Sequence, residues 1–370
     1  MAKKKRELSP FEKKLNEWAS HLSRIKFTEK MFFVDHLRTM VGAGLSIVEA
    51  LEILSKEISN PKFKKTITQI KADIEKGEQL SAVLAKHPKV FPTTYVKMIA
   101  AGEASGTLQE SLEQVTLQMR KSNELASSIR GAMIYPAVIL FAMFVVGILM
   151  TTVVLPKMLE MFQDFDAELP LPTKMLMIIV NFLSNPLNLI IIVILGAGII
   201  SAFIYLLKKS ADFKRTIHLI NLHLPIIGKV IKKINLAKFS LTLSSLLKST
   251  IPIIDAVDIT AETCANVLYQ NALHDAAKKI KSGEPLSNLL SQYEDLFPSM
   301  VTEMIMVGER SGEVEKLLNE LSDFYGDEVD KTMKNFSTII EPIIILVLGV
   351  AVAGIAMAVV MPMFSLVQNF

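Results

Sequence analysis

The chain is expected to be an all-α membrane protein: two homologous helical bundles of about six helices each, both cytoplasmic, and three transmembrane helices. Three observations predict this. The 370 residues are 51% apolar with a mean hydropathy of +0.39, above ordinary soluble usage. Three 19-residue runs, 137–155, 189–207 and 343–361, carry no Asp, Glu, Lys, Arg or His and are long enough to cross about 30 Å of hydrocarbon at about 1.5 Å per residue. Finally, the sequence matches itself at an offset of 206.

The repeat is plainest at a five-residue turn. GEASG, residues 102–106, returns as GERSG, residues 308–312, and the match runs without a gap: residues 77–106 and 283–312 share 13 of 30 positions, where unrelated sequences share about two. Gly77-Glu78 falls on Gly283-Glu284, Leu80-Ser81 on Leu286-Ser287, Phe91-Pro92 on Phe297-Pro298, and Pro136 on Pro342.

Taken in order, residues 1–30 form an amphipathic basic helix. Ser9-Pro10-Phe11-Glu12 combines an N-cap serine, a first-turn proline and a box glutamate. Leu8, Phe11, Leu15, Trp18, Leu22 and Ile25 then make an apolar seam. Nine Lys/Arg against four Glu leave a local +5, suited to an acidic partner or anionic headgroups; packing on the chain's own first bundle is the alternative. Leu15, Trp18 and Leu22 are the candidate docking residues, for a partner or for the membrane. The start MAKKKRELSPFEKK has no apolar core behind it, so no cleavable signal peptide is expected.

Residues 31–135 form the first bundle. Apolar residues recur at helical spacing, as in Leu37, Met40, Val41, Leu45, Val48 and Leu51, echoed by Leu243, Leu246, Leu247, Ile251, Ile254 and Val257. Turns at Gly42-Ala43-Gly44, Asn60-Pro61, Lys76-Gly77, Phe91-Pro92 and Ser105-Gly106 cut it into short helices. The last runs from near Leu108 to Tyr135, opened by a capping box of Thr107 and Glu110. Transmembrane helix 1 covers 136–156, an acidic periplasmic loop with an interfacial helix 157–187, and transmembrane helix 2 residues 188–207. Residues 208–340 are a linker and the second bundle, 341–362 transmembrane helix 3, and 363–370 a periplasmic tail.

Orientation follows the basic residues. Arg120, Lys121 and Arg130 precede the first span and Lys208, Lys209, Lys214 and Arg215 follow the second, whereas the loop between them carries Glu160, Asp164, Asp166 and Glu168. The positive-inside bias places both bundles and the N-terminus in the cytoplasm and the C-terminus outside. The second span, without counterpart in the repeat, returns the chain so that the second copy starts on the same side.

Little catalytic chemistry is legible. Formal charge is +3, too small to argue for nucleic acid. No Walker loop is present, the six histidines show no metal spacing, and no cofactor is expected. Cys264 stands alone and is read as a buried small side chain. Glu315, Glu320, Asp323, Asp327, Glu328 and Asp330 are read as a hydrated helix face rather than a cation site. Transport leaves ionisable groups inside spans; here Glu341 only borders the third. Small residues at Gly147 with Thr151, Gly349 with Ala353 and Gly354 with Ala358 favour helix packing. The chain is therefore not expected to be an enzyme, and a small-molecule transporter is the rival class. Gly102 and Gly106 bracket a helix C-terminus and a tight corner; Glu103 and Glu309 are expected to cap neighbouring backbone, with partner contact as the alternative.

LRTMVGAGLSIVEAL, GEQLSAVL followed by PKVFP, MIAAGEASGTL, AMIYP before the first span and the inter-span LPLPT together resemble the inner-membrane platform proteins of type IV pilus and type II secretion machines, the PilC/GspF family. In the second copy Lys248-Ser249-Thr250-Ile251-Pro252 departs from that family's Ala-Gly-Leu/Ile-Pro corner. The resemblance implies a non-enzymatic bacterial inner-membrane platform coupling a hexameric assembly ATPase, with a retraction ATPase as a further partner, to insertion of pilin or pseudopilin subunits into a filament. It also implies other inner-membrane assembly components and a homo-oligomer, and no nucleic acid. Candidate sites are the corners Gly102, Glu103, Gly106, Gly308, Glu309 and Gly312, and the bundle-to-span coupling points Pro136, Glu341 and Pro342. On that resemblance, the partner on which Leu15, Trp18 and Leu22 would dock is the ATPase.

Overall fold

The computed structural model describes residues 24–154, 156, 178, 182, 186–225 and 227–368. The Leu15, Trp18 and Leu22 seam and most of the expected inter-span loop lie outside the described residues. Among the described residues every regular element is helical. The chain divides into two compact units: one runs up to Ala126 and again over Leu224–Glu328, the other comprises Ser127–His223 and Val329–Phe370.

The first unit holds both bundles. The first is α1 (Phe27–Gly42), α2 (Ile47–Glu57), α3 (Pro61–Glu75), α4 (Leu80–Ala85), α5 (Thr93–Ser105) and the start of α6 (Leu108–Leu149). Its boundaries follow local chemistry. Ser46 Oγ accepts from the Glu49 amide at 3.3 Å while Glu49 accepts from the Ser46 amide at 3.1 Å, a reciprocal box that starts α2. Asn60 Oδ1 accepts from the amides of Lys62 and Phe63, with Pro61 at the first turn of α3. Thr107 Oγ1 lies 2.7 Å from Ser105 Oγ, a pairing the box reading with Glu110 did not anticipate.

The second bundle repeats this order as α9 (Ile227–Lys248), α10 (Ile253–Thr263), α11 (Val267–Ile280), α12 (Leu286–Ser291), α13 (Ser299–Ser311) and the start of α14 (Val314–Gln368). α7 (Pro186–Lys209) and α8 (Ala211–His223) lie between the bundles in sequence. Six helices per copy is thus the observed count.

Each bundle centres on three rings at equivalent positions. Phe33 packs on Phe63 at 5.5 Å and on Phe91 at 5.8 Å between ring centroids. Phe239 and Tyr269 each pack on Phe297 at 5.3 Å. These tilted and edge-on contacts are the favoured aromatic geometry, and all six rings are buried. Tyr269 replaces Phe63 at the cost of burying a hydroxyl, which donates to the Leu296 carbonyl at 2.8 Å.

One residue breaks the pattern. Gly44 sits at φ 87° in the turn after α1, and its counterpart Thr250 holds φ 60°, a left-handed backbone that a β-branched residue adopts only with strain. Thr250→Gly is expected to stabilise the second bundle by about 1 kcal/mol, raising its Tm by about 2–4 °C; thermal unfolding followed by circular dichroism checks it.

In the second unit α6 continues to Leu149, followed by a π-helical turn, Met150–Val154. By length and composition α6 and α14 each suffice to cross a membrane, and the pair α7 and α8, bent by 105°, brings the number to three if counted as one span. Phe203 meets Phe213 edge-on at 5.8 Å across that bend. The helix expected to stop at Tyr135 does not stop: Pro136 lies inside α6 and Pro342 inside α14. A proline removes one backbone donor, a loss that a membrane-spanning helix tolerates, so each bundle's last helix and its span are one element, about 60 Å long for α6.

Candidate functional site

The twice-kept turn is a three-part joint. α5 ends in Gly106, whose φ of 74° places it in the left-handed region, and α13 ends in Gly312 at φ 76°. The Thr107 amide then donates to the Gly102 carbonyl at 2.8 Å, and the Glu313 amide to the Gly308 carbonyl at 3.0 Å, closing the helix C-terminus. One turn earlier, Gly102 and Gly308 are where the next helix crosses. A Cβ on Gly102 would lie 1.9 Å from Ser111 Oγ and 2.4 Å from Ser111 Cβ; one on Gly308 would lie 2.8 Å from Val314 Cα. The first and last glycines of the motif therefore serve different needs, close approach and positive φ.

The glutamate between them reaches back across the bundle. Glu103 Oε1 accepts from the Leu80 amide at 2.6 Å, and Oε2 accepts from the Ser81 amide at 3.0 Å and the Ser81 hydroxyl at 2.5 Å. Glu309 does the same with Leu286 (2.6 Å), the Ser287 amide (3.4 Å) and the Ser287 hydroxyl (2.5 Å). Both carboxylates thus cap the N-termini of short helices, α4 and α12, whose first amides have no intrahelical acceptor. Those helices carry Gln79 and Pro285 at their N-caps, with no side-chain cap of their own.

The two bundles meet within the first unit. α5 packs on α10, and the buried Gln118 Nε2 on α6 donates to Thr242 Oγ1 on α9 at 3.4 Å. Lys121 Nζ reaches Asp323 Oδ1 at 2.6 Å and Asn319 Oδ1 at 3.2 Å on α14; within the second bundle itself, Lys233 pairs with Glu328 at 2.8 Å. Two of the acidic residues read as a hydrated face are therefore ion-paired. The repeats are unequal here: Thr242, Ser244 and Ser245 on α9 and Ser249 just after it are buried, while of their counterparts His36, Thr39 and Ala43 are exposed and Arg38 is half-buried. Small hydroxylated side chains allow α9 to be enclosed, each hydroxyl of Ser244, Ser245 and Ser249 bonding to its own helix.

Among the described residues no group of three His, Cys, Asp or Glu is placed to hold a metal. Cys264 is 2% exposed, and burial pushes its thiol up to about 12, against a small opposing effect of Lys238; a thiol so held is inert at neutral pH. Of the coupling residues, Pro136 is buried in α6, and Glu341 and Pro342 are exposed on α14. The aromatic triads and the Gln118–Thr242 contact were missed from sequence, though the 206-residue register already aligned all three ring positions.

The family model for type II secretion system (T2SS) protein F matches residues 33–156 and 239–362, two intervals separated by the same 206 residues as the internal repeat. The type IV pilus assembly protein PilC of Pseudomonas aeruginosa is 34% identical over 345 residues, covering 93% of this chain and 91% of the relative. PilC of Myxococcus xanthus is 34% identical over 338 residues, covering 91% and 80%. The type II secretion system protein F of Pseudomonas aeruginosa is 30% identical over 333 residues, covering 90% and 81%. With most of both bundles and of both long helices inside the matched intervals, the chain belongs to the PilC/GspF family, that of type II secretion system protein F and the type IV pilus assembly protein PilC.

Proposed function

We propose that this chain is the bacterial inner-membrane platform of a type IV pilus or type II secretion machine, coupling a hexameric cytoplasmic assembly ATPase to insertion of pilin or pseudopilin subunits into a filament. The observation that carries this reading is the continuity of α6 and α14: each begins in a helical bundle and continues into a stretch long and apolar enough to cross a membrane. A displacement of the bundle is thereby transmitted along one continuous helix rather than through a loop. Family membership and the PilC relatives at 34% identity support the platform role.

In this reading both bundles and the N-terminus face the cytoplasm and the C-terminus the periplasm, in keeping with the basic flanks of the spans. The glycine-glutamate corners keep each bundle stiff, and Pro136, Glu341 and Pro342 mark where it passes into the spans. The spans offer packing surfaces free of charged groups to pilin subunits and to further copies of the chain. The full chain, purified in detergent, is expected to retain a hexameric assembly ATPase in pull-down, and its deletion to abolish surface filaments or secretion. Normal filaments and secretion after deletion, with loss of solute uptake, would overturn the proposal in favour of a transporter.

A further inference from the structure

The first bundle carries an open cavity of about 310 Å3 where α1, the end of α2 and the start of α3 meet. Its inner wall is apolar, with Phe33, Leu54 and Phe63 buried at 3%, 2% and 0% exposure. Its lining also includes Phe32, 56% exposed, and the carboxylates of Glu29 and Glu57. Nearby on α2, Ile53 is 38% exposed, whereas its counterpart Ile259 in the second bundle is covered to 8%. The equivalents of two rim residues, Asn235 for Glu29 and Asn266 for Asn60, are buried, with the Asn266 amide donating to Asn235 Oδ1 at 3.2 Å. The second bundle is thus closed where the first is open.

We propose that this cavity seats the chain's own N-terminal segment, residues 1–23, through Leu15, Trp18 and Leu22. The described chain begins at the cavity mouth: the Arg24 carbonyl accepts from Asn60 Nδ2 at 3.5 Å, and the Lys26 amide donates to Glu29 Oε2 at 2.9 Å. Asn60 and Glu29 both line the cavity. Leu22 is two residues from Arg24, within reach of about 7 Å of chain, and Trp18 is six residues away, within about 20 Å of chain. Residues 1–23 carry six Lys/Arg against three Glu, a positive segment facing an acidic rim. Rings and leucines suit the apolar wall, and the tether supplies an effective concentration in the millimolar range, so a small patch suffices. Seating is a property of the chain alone and does not depend on an ATPase or a pilin.

Trp18 is the chain's one tryptophan, which makes the test direct. The full chain is placed in nanodiscs of zwitterionic lipid with Cys264→Ala, and thiols are introduced as Ala19→Cys with Glu57→Cys, or with Glu284→Cys in the second bundle as control. The first pair is expected to form an intramolecular disulfide at least about tenfold faster than the control. Phe32→Asp or Leu22→Asp should erase that advantage, and Phe32→Asp should open Trp18 to iodide quenching. Because Phe32 is exposed, its replacement is expected to leave the circular dichroism spectrum and Tm unchanged, so a lost crosslink reports seating and not unfolding. Equal rates for the two pairs overturn the proposal. So do disulfides found only between two chains, or quenching protection that appears only with anionic lipid or with an added ATPase.

Discussion

Gly102→Ala is expected to destabilise the first bundle by about 3 kcal/mol, the upper range for forcing an atom into a packed crossing. The new methyl carbon would stand 1.9 Å from Ser111 Oγ, 2.4 Å from Ser111 Cβ and 2.9 Å from the Thr107 carbonyl oxygen. Rotating the serine hydroxyl removes the first clash only; the other two involve atoms fixed to the backbone, so α5 and α6 must separate. Gly308→Ala meets Val314 Cα at 2.8 Å and its amide nitrogen at 3.1 Å and should cost a similar amount in the second bundle. For a unit of this size the expected fall in Tm is about 6–12 °C. Gly131→Ala, on α6 where a Cβ meets nothing within 4 Å, is the control and should be neutral or stabilising by up to about 1 kcal/mol. Thermal unfolding of the full chain in detergent compares the three; equal behaviour of G102A and G131A would refute the close-approach account.

Glu103→Ala is the second large effect, expected at about 2–3 kcal/mol. It leaves the amides of Leu80 and Ser81 without acceptors at a helix start that has no other side-chain cap, and bonds to an ionised acceptor are among the stronger kind. Glu103→Gln keeps the shape with one fewer acceptor oxygen and should lose about half of that. Glu309→Ala should cost somewhat less, because the Ser287 amide stands at 3.4 Å against 3.0 Å for Ser81. The double variant Glu103→Ala with Ser81→Ala separates the hydroxyl from the amides: shared partners make the two losses less than additive. Urea unfolding midpoints at constant slope provide the measurement. Additive losses in that cycle would show that the serine and the glutamate do not act together.

Both effects fall on the motif that the sequence singled out, but their causes were legible to different depths. A helix C-terminus at Gly106 follows from local chemistry, because a residue without Cβ is the natural occupant of a left-handed turn. The capping role of Glu103 was one of two readings, since its partners are 22 and 23 residues away and only the packing of α5 beside α4 brings them within reach. The six-helix count came from turn residues, and the spans from runs free of charge. The run-through at Pro136 did not: a proline reads as a boundary when only its missing donor is considered.

The two repeats show most clearly where sequence reasoning stops. Periodicity, charge bias and self-similarity are sums over neighbouring residues, so the chain alone determined the helices, the duplicated plan, the apolar spans and the glycine corners. Which copy encloses the other's helix, which rings meet, and why α9 is lined with serines while α1 keeps Asp35, His36 and Arg38 were decided by tertiary structure. Gln118 and Thr242 are 124 residues apart, and no local pattern encodes such a pair. Burial is a property of what covers a surface, and in two homologous bundles the cover differs even where the register is the same.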